Sequence, residues 1–401
     1  MQPLFASFIA AVALSFAAAT GLAQPRYDPG ASDTVIRIGQ TMPYSGPASA
    51  YGTIGRAQAA YFRMLNERGG IGGRRIEFVS LDDGYNPAKA VEGTRRLVEQ
   101  DPVLFIFGTL GTPSNSAIRP YLNARGVPQL FAATGASKWN DPRRYPWTMG
   151  GQPDYRTEGR IYATHILQTK PDARIGVLRQ NDDFGRDYLV GLREGLGEHA
   201  ERMIVAEVTY DVGDPTVDSQ IAMLQAAGAD VFVNVTTPKY AAQAIRRAWD
   251  IGWRPTQYLA AVSVSVSSVM RAAGLEKGVG IVSAAYLMTP GDPEWEDHPQ
   301  MREWRAWMAE YYPEGDPSDY LNVYGYVTAQ LVEQVLRQAG DELTRENVMR
   351  QARSLRGHAP KMMLPGVTVT TGPDDHAPFE ALQLTRFDGR SWVRFGNVVG
   401  E

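Results

Sequence analysis

The chain has 401 residues, 44% of them hydrophobic and 21% charged, a balance that excludes a disordered or fibrous protein and allows two or more domains. A net charge of −4 with no lysine or arginine run argues against nucleic acid as a partner. The absence of cysteine excludes disulfides, thiol catalysis, thiolate metal sites and a lipid-modified cysteine behind a leader.

Residues 4–23 form an apolar, alanine-rich stretch, and Gly21-Leu-Ala23 offers small residues where a signal peptidase reads. A signal peptide over 1–23 is expected, although no Lys or Arg precedes the apolar core; a membrane anchor of similar length is the competing reading. The small residues, and the lack of a charged flank behind the stretch, favour cleavage and an exported, unanchored protein. In a host with two membranes its compartment is the periplasm.

From residue 35 onward, short apolar runs alternate with amphipathic helical segments: 35–38 then 55–67, 76–81 then 88–100, 103–107 then 115–125. The pattern restarts with 174–178 before 184–196, 204–208 before 217–227, and 231–235 before 240–251. Such alternation builds βαβ units with mostly parallel strands, and the restart makes two α/β lobes more economical than one very wide sheet. Ligands of these sheets bind outside the carboxyl ends of the strands, so the space between the lobes is the expected site. The glycines of 66–75 follow a helix and precede a strand, the reverse of a dinucleotide loop, and read as a helix C-cap plus a tight turn. Late in the chain, 301–311 and 321–338 read as helices, with Trp304, Trp307 and Tyr311 spaced to pack in the core.

Catalytic patterns are mostly absent. The chain has no phosphate-loop motif, no His-Glu-x-x-His pair and no Gly-x-Ser-x-Gly elbow, and its five histidines are scattered without metal-ligand spacing. Asp82 and Asp83 are adjacent at a strand end, so their side chains point to opposite faces and do not share a site by spacing alone.

Two strand ends stand out instead. The first apolar run stops at Gly108; Thr112 is placed as the N-cap and Pro113 at the first position of a helix, leaving free amides beside a hydroxyl. A helix start carries partial positive charge, so a small carboxylate is its natural guest, whereas an isolated Thr112 would be only a cap. The second run ends in Ala132-Ala-Thr134, which faces the same crevice if the strands are neighbours. With Ser45 and Tyr51 after the first strand, Ser114 after the third, and Tyr155 and Phe184 in the second half, these are hydroxyls, amides and aromatic walls. Such a set makes a small-molecule pocket and supplies no paired nucleophile and base, so binding without turnover is expected, with no cofactor.

The ordered set Ile36-Arg-Ile-Gly39, Pro43-Tyr-Ser-Gly-Pro47, the glycine turn at 66–75, Gly108-Thr-Leu-Gly-Thr112, Val127-Pro-Gln-Leu-Phe-Ala-Ala-Thr134 and Asp183-Phe-Gly185 resembles the periplasmic leucine/isoleucine/valine-type substrate-binding proteins of ABC importers. The resemblance runs from about residue 33 to the end of the chain. It implies a type I periplasmic-binding-protein fold: two doubly wound parallel-sheet lobes joined by a three-strand hinge. Lobe one would take 33–152 plus 282–379, and lobe two 153–281 plus 380–401.

The resemblance also implies a monomer that captures a small carboxylate by closure and delivers it to an ABC permease; a ligand-sensing module of the same fold is the alternative. Carried over residue by residue, Thr112 would hold the ligand carboxylate, and Ala132 and Thr134 the amino end. Tyr51 would stand in the opening loop, and Phe184 at the position of a closing tyrosine, keeping the wall and losing the hydroxyl. The acid that pairs with a ligand ammonium would fall within 261–265, around Ser263, where there is none; Asp154 or Glu158 is placed to substitute from nearby. Burying an ammonium without a carboxylate is costly. An amino-less acid, aromatic given Tyr51, Tyr155, Phe184 and Tyr324, therefore stands beside the aliphatic amino acids as the expected ligand.

Overall fold

The computed structural model describes residues 26–400, so the expected signal peptide lies outside the described residues. At its start, β1 (Arg26–Tyr27) pairs with the late strand β12 (Glu342–Leu343). The first sheet contains β2 (Val35–Met42), β3 (Arg75–Asp82), β4 (Phe105–Phe107), β5 (Gln129–Ala132) and β6 (Thr148–Gly150), all parallel in the order β3-β2-β4-β5-β6. Every residue of β4 and β5 is buried, as expected for central strands covered by helices on both faces.

The second sheet takes β7 (Ile175–Gln180), β8 (Ile204–Tyr210), β9 (Val231–Val235), β10 (Thr256–Leu259) and β11 (Val282–Ala285) in parallel. An antiparallel ribbon of β13 (Ala381–Phe387) and β14 (Trp392–Gly400) completes it, in the order β14-β13-β11-β10-β9-β7-β8. The chain therefore crosses between the sheets after β6, after β11 and before β13. One expected boundary needs correction: Val282–Ala285, read as the start of the second lobe-one segment, hydrogen-bonds between β10 and β13 in the second sheet.

After β11 the chain returns to the first sheet as the helices Pro299–Tyr311, Tyr320–Ala339 and Arg345–Ala352. Gln58 on the helix Gly52–Glu67 donates to Thr328 at 3.1 Å, and Tyr61 donates to Glu333 at 2.5 Å. Trp304 and Trp307 stack at 5.4 Å, and Tyr326 lies 4.7 Å from Trp307, so the aromatic stripe is core. The glycine turn behaves as a turn: Gly69, Gly70, Gly72 and Gly73 all have positive φ, a conformation open to glycine at little cost.

The helix Thr112–Ala124 starts three residues earlier than the expected 115–125, and its N-cap is Gly111 at φ +94°, not Thr112. A side chain at Gly111 would meet the Tyr85 ring at 2.5 Å, so only glycine lets the chain enter the helix here.

In the second lobe the helices Tyr155–Thr169 and Asp183–Leu196 pack face to face through glycine. A Cβ at Gly191 would fall 2.1 Å from the Arg156 carbonyl oxygen, and one at Gly159 2.6 Å from that of Tyr188. The backbones therefore approach until glycine alone fits between them. Gly191→Ala must push the pair apart, and a loss of about 1–3 kcal/mol is expected from overpacking; an unshifted urea midpoint would contradict this close approach.

Candidate functional site

The first-lobe wall is built on the buried start of the helix Thr112–Ala124, which has no side-chain cap, so its first-turn amides lack a side-chain acceptor. Thr112 Oγ1 lies 2.6 Å from Thr134 Oγ1 across the neighbouring strand end. Thr134 also accepts from the Trp139 indole at 3.3 Å, and Asn115 donates to the carbonyls of Thr109 and Gly111, holding the loop between strand and helix. Ser114 Oγ is buried without a hydrogen-bond partner, and the Ala132 carbonyl accepts from the Thr134 amide.

The second-lobe wall has a matching start. Thr237 precedes the helix Pro238–Asp250, again with no side-chain cap, and its amide donates to the Tyr210 hydroxyl at 2.9 Å. Beside it, Tyr155 packs on Phe184 and Tyr188, with ring centroids 5.0 Å from each. Asp154 accepts from the amides of Arg156 and Thr157, and Asp182 from that of Gly185, so both acids are spent on helix caps. Ser263 Oγ donates to the Thr236 carbonyl at 2.5 Å.

Between these walls lie two adjoining chambers that share Tyr51, Gln152, Tyr155 and Val262. The polar chamber is lined by Gly111, Thr112, Phe184 and Thr237, and among the described residues no acidic or basic side chain lines it. The aromatic chamber is lined by Tyr286, Tyr320 and Tyr324 beside the shared residues, with Glu158 its one charged residue among those described. Glu158 Oε1 accepts from the Tyr162 hydroxyl at 2.5 Å and the Ala261 amide at 2.8 Å. Burial pushes its acid up to about 7, the Tyr162 and Tyr188 hydroxyls and the Ala261 amide drawing it only part of the way back.

Of the residues expected from the sequence, Tyr51, Thr112, Tyr155, Phe184 and Tyr324 line the chambers. Ser114, Ala132, Thr134 and Ser263 stand behind them, their polar groups turned to neighbouring protein atoms or, for Ser114, to none. The segment 261–265 has no acid, but Ala261 receives one: Glu158, from the facing helix, bonds its amide.

Tyr85, Gln152, Thr237, Tyr286 and Tyr320 also line the chambers and escaped the sequence reading. Two of them left a trace there. Thr237-Pro238 repeats the Thr112-Pro113 pair at a strand end, and Tyr320 stands one helical turn before Tyr324.

The cleft is shut. Gln180 donates to the Tyr85 hydroxyl at 3.3 Å, the Ser137 amide to Asp187 at 2.9 Å, and Lys138 pairs with Asp183 at 2.5 Å. On the other side, Ser265 and Ser267 donate to Asp319 at 3.0 and 2.7 Å. Among the described residues, no helix is long and apolar enough to cross a membrane.

Two doubly wound lobes shut on a polar and aromatic cavity define a clamshell binding protein. The family model described as periplasmic binding protein matches residues 35–391, and the chain belongs to that family. A leucine-, isoleucine-, valine-, threonine- and alanine-binding protein of Pseudomonas aeruginosa is 25% identical over 199 residues, 49% of this chain and 52% of that one. The leucine-specific-binding protein of Salmonella typhimurium is 24% identical over 61% of this chain, so the chain spans only half to two thirds of such relatives. In structure, a branched-chain amino acid ABC transporter protein from Thermus thermophilus with bound valine aligns with a TM-score of 0.82 at 19% identity, covering 92% of this chain and 98% of that one. A fatty acid ABC transporter substrate-binding protein from Thermomonospora curvata aligns at 0.77 and 23% identity, covering 94% and 95%. At these identities the likeness is one of fold.

Because Glu158 is harder to ionise folded than unfolded, its burial carries no ionisation penalty while it is protonated in both states, and that penalty grows as pH rises from about 4.5 to about 7. Glu158→Gln removes that penalty. The melting temperature of the variant minus that of the wild type is therefore expected to be more positive at pH 8 than at pH 5; a difference that does not change with pH would refute the assignment.

Proposed function

We propose that this protein is the exported capture component of an ABC importer, binding without turnover and closing over a small carboxylate that has no α-ammonium. The carboxylate sits in the polar chamber, on the uncapped start of the helix Thr112–Ala124 and the Thr112 hydroxyl. Its apolar body extends past Tyr51 and Tyr155 into the aromatic chamber.

The observation that carries this reading is the absence of any acid lining the polar chamber. An ammonium enclosed there has no carboxylate on the chamber wall, and burial of a charge without a partner is costly. The valine and fatty-acid proteins of this fold support the capacity of one architecture to take carboxylates with and without an amino group. Closure follows from contacts on both lobes, since a ligand touching both stabilises only the state in which both are near. Delivery to a permease follows from the family.

A thermal-shift screen separates the alternatives, because a ligand that binds only the native state raises the melting temperature. Phenylacetate and phenylpropanoate are expected to shift it more than leucine, valine or phenylalanine. Strong shifts with leucine or valine and none with the amino-less acids would overturn the reading. Thr112→Val is expected to weaken the binding of any carboxylate hit by about 1–3 kcal/mol, through loss of a charge-assisted hydrogen bond.

A further inference from the structure

Tyr85 stands in a backbone conformation that a side chain makes costly. Its φ of +61° lies in the left-handed region, where Phe131 and Met362 are the other non-glycine cases among the described residues. Such strain persists only where the surroundings impose it, and it gathers at ligand clamps and switches. Here Asp83 imposes it: fully buried, its Oδ1 accepts from the Tyr85 amide at 2.8 Å while its carbonyl accepts from the Asn86 amide at 2.9 Å. The phenol is thereby laid across Gly111, the N-cap of the helix Thr112–Ala124. Its hydroxyl oxygen lies 3.2 Å from the point a Gly111 Cβ would occupy, beside the helix start on which the carboxylate is proposed to sit.

The same hydroxyl reaches the other lobe. It accepts from Gln180 Nε2 at 3.3 Å, and two neighbours place Gln180: Nε2 also donates to Asp182 at 2.7 Å, and Oε1 accepts from the Tyr210 hydroxyl at 3.0 Å. Tyr210 in turn accepts from the Thr237 amide at the start of the helix Pro238–Asp250. One file of contacts thus joins the two helix starts that line the polar chamber. A phenol has one proton to give, and among the described residues no acceptor takes that of Tyr85. Asp182 is occupied by Gln180 and the Gly185 amide. Tyr51 and Gln152 line the same chamber, but among the described residues no hydrogen bond joins either to Gln180. We infer that Tyr85 couples capture to closure: its hydroxyl donates to the guest's carboxylate at the helix start while accepting from Gln180 of the opposite lobe.

This rests on the carboxylate reading and adds the residue through which closure responds to the guest. With the lobes apart, Tyr85 meets the carboxylate alone. When they shut, the Gln180 amide polarises the phenol, and a hydroxyl that accepts a hydrogen bond donates a stronger one. Guest and closure therefore stabilise each other, since the charge-assisted bond is strongest when both are in place. Lys138 with Asp183, Ser137 with Asp187, and Ser265 and Ser267 with Asp319 also join the lobes, but none of these residues lines a chamber.

Calorimetric and stopped-flow titration of the full protein with phenylpropanoate and with leucine tests the inference. Tyr85→Phe keeps the ring on Gly111 and removes one oxygen. Whichever probe the wild type binds is expected to bind this variant at least about tenfold more weakly, mostly through faster dissociation, with the probe-free melting temperature unchanged. In a Gln180→Met background the same substitution is expected to weaken binding far less, because the two side chains act as one unit. Ser267→Ala, at the rim, is expected to speed dissociation by the same factor with or without the Tyr85 hydroxyl. Unchanged affinity in Tyr85→Phe, a loss carried by association alone, or an equal loss with and without Gln180 would each overturn the coupling. The affinity and rates of Tyr85→Phe carry the test if Gln180→Met does not fold. Binding of leucine and not phenylpropanoate overturns the amino-less reading alone, and Tyr85 is then judged with leucine. Binding of neither overturns the carboxylate seat and the coupling together.

Discussion

A helix that begins inside a closed protein, with no side chain to cap it, leaves backbone donors that neither water nor the fold itself has been arranged to meet. Here that happens at Thr112, on one side of the cavity; at Thr237, on the other, the helix again starts without a side-chain cap, but the Thr237 amide is met by the Tyr210 hydroxyl. Most buried backbone donors in folded proteins find partners, so an uncapped start beside an enclosed space marks where the fold is incomplete alone. The rest of the molecule serves this arrangement. Parallel strands deliver their carboxyl ends to the same edge, the Thr-Pro pairs start the helices directly after them, and Gly111 gives the sharp entry that no residue with a Cβ could follow.

The second wall depends on a different constraint. Glu158 and Tyr155 lie on a helix whose backbone is pressed against Asp183–Leu196 at Gly159, Gly191 and Gly195. That close approach sets Tyr155, Phe184 and Tyr188 into one aromatic cluster and brings the Glu158 carboxyl onto the Ala261 amide. The acid thus enters the cleft from a helix one turn past the hinge. The polar end of the cavity carries no charge and the aromatic end carries one, a division that defines opposite demands on the two ends of a guest.

Much of this was legible in the sequence. The alternation of apolar runs and amphipathic helices locates both sheets because each βα repeat must bury one face, and its restart at residue 174 separates the lobes. Val282–Ala285 was harder to place, since a four-residue buried strand next to a crossing pairs as readily with either sheet until its neighbours are known. The candidate residues show the same limit. A strand end announces that hydroxyls are available, but not whether each faces the cavity or a neighbour: Thr112 does the first, whereas Thr134 is spent on Thr112 and Trp139, and Ser263 on Thr236. Tyr286 and Gln152 reach the chambers only through the hinge crossings, which bring distant segments together and leave no local pattern to read.

Apart from Gln180 with Tyr85, which lines the polar chamber, the contacts that shut the cleft lie away from the chambers. Lys138 with Asp183, Ser137 with Asp187, and Ser265 and Ser267 with Asp319 link the lobes without lining either chamber. A guest sealed behind them leaves only when they part, so its residence time is governed by how often the lobes open. Recognition and release thereby rest on two sets of side chains that meet at Tyr85: the chamber walls decide what is held, and the rim decides for how long.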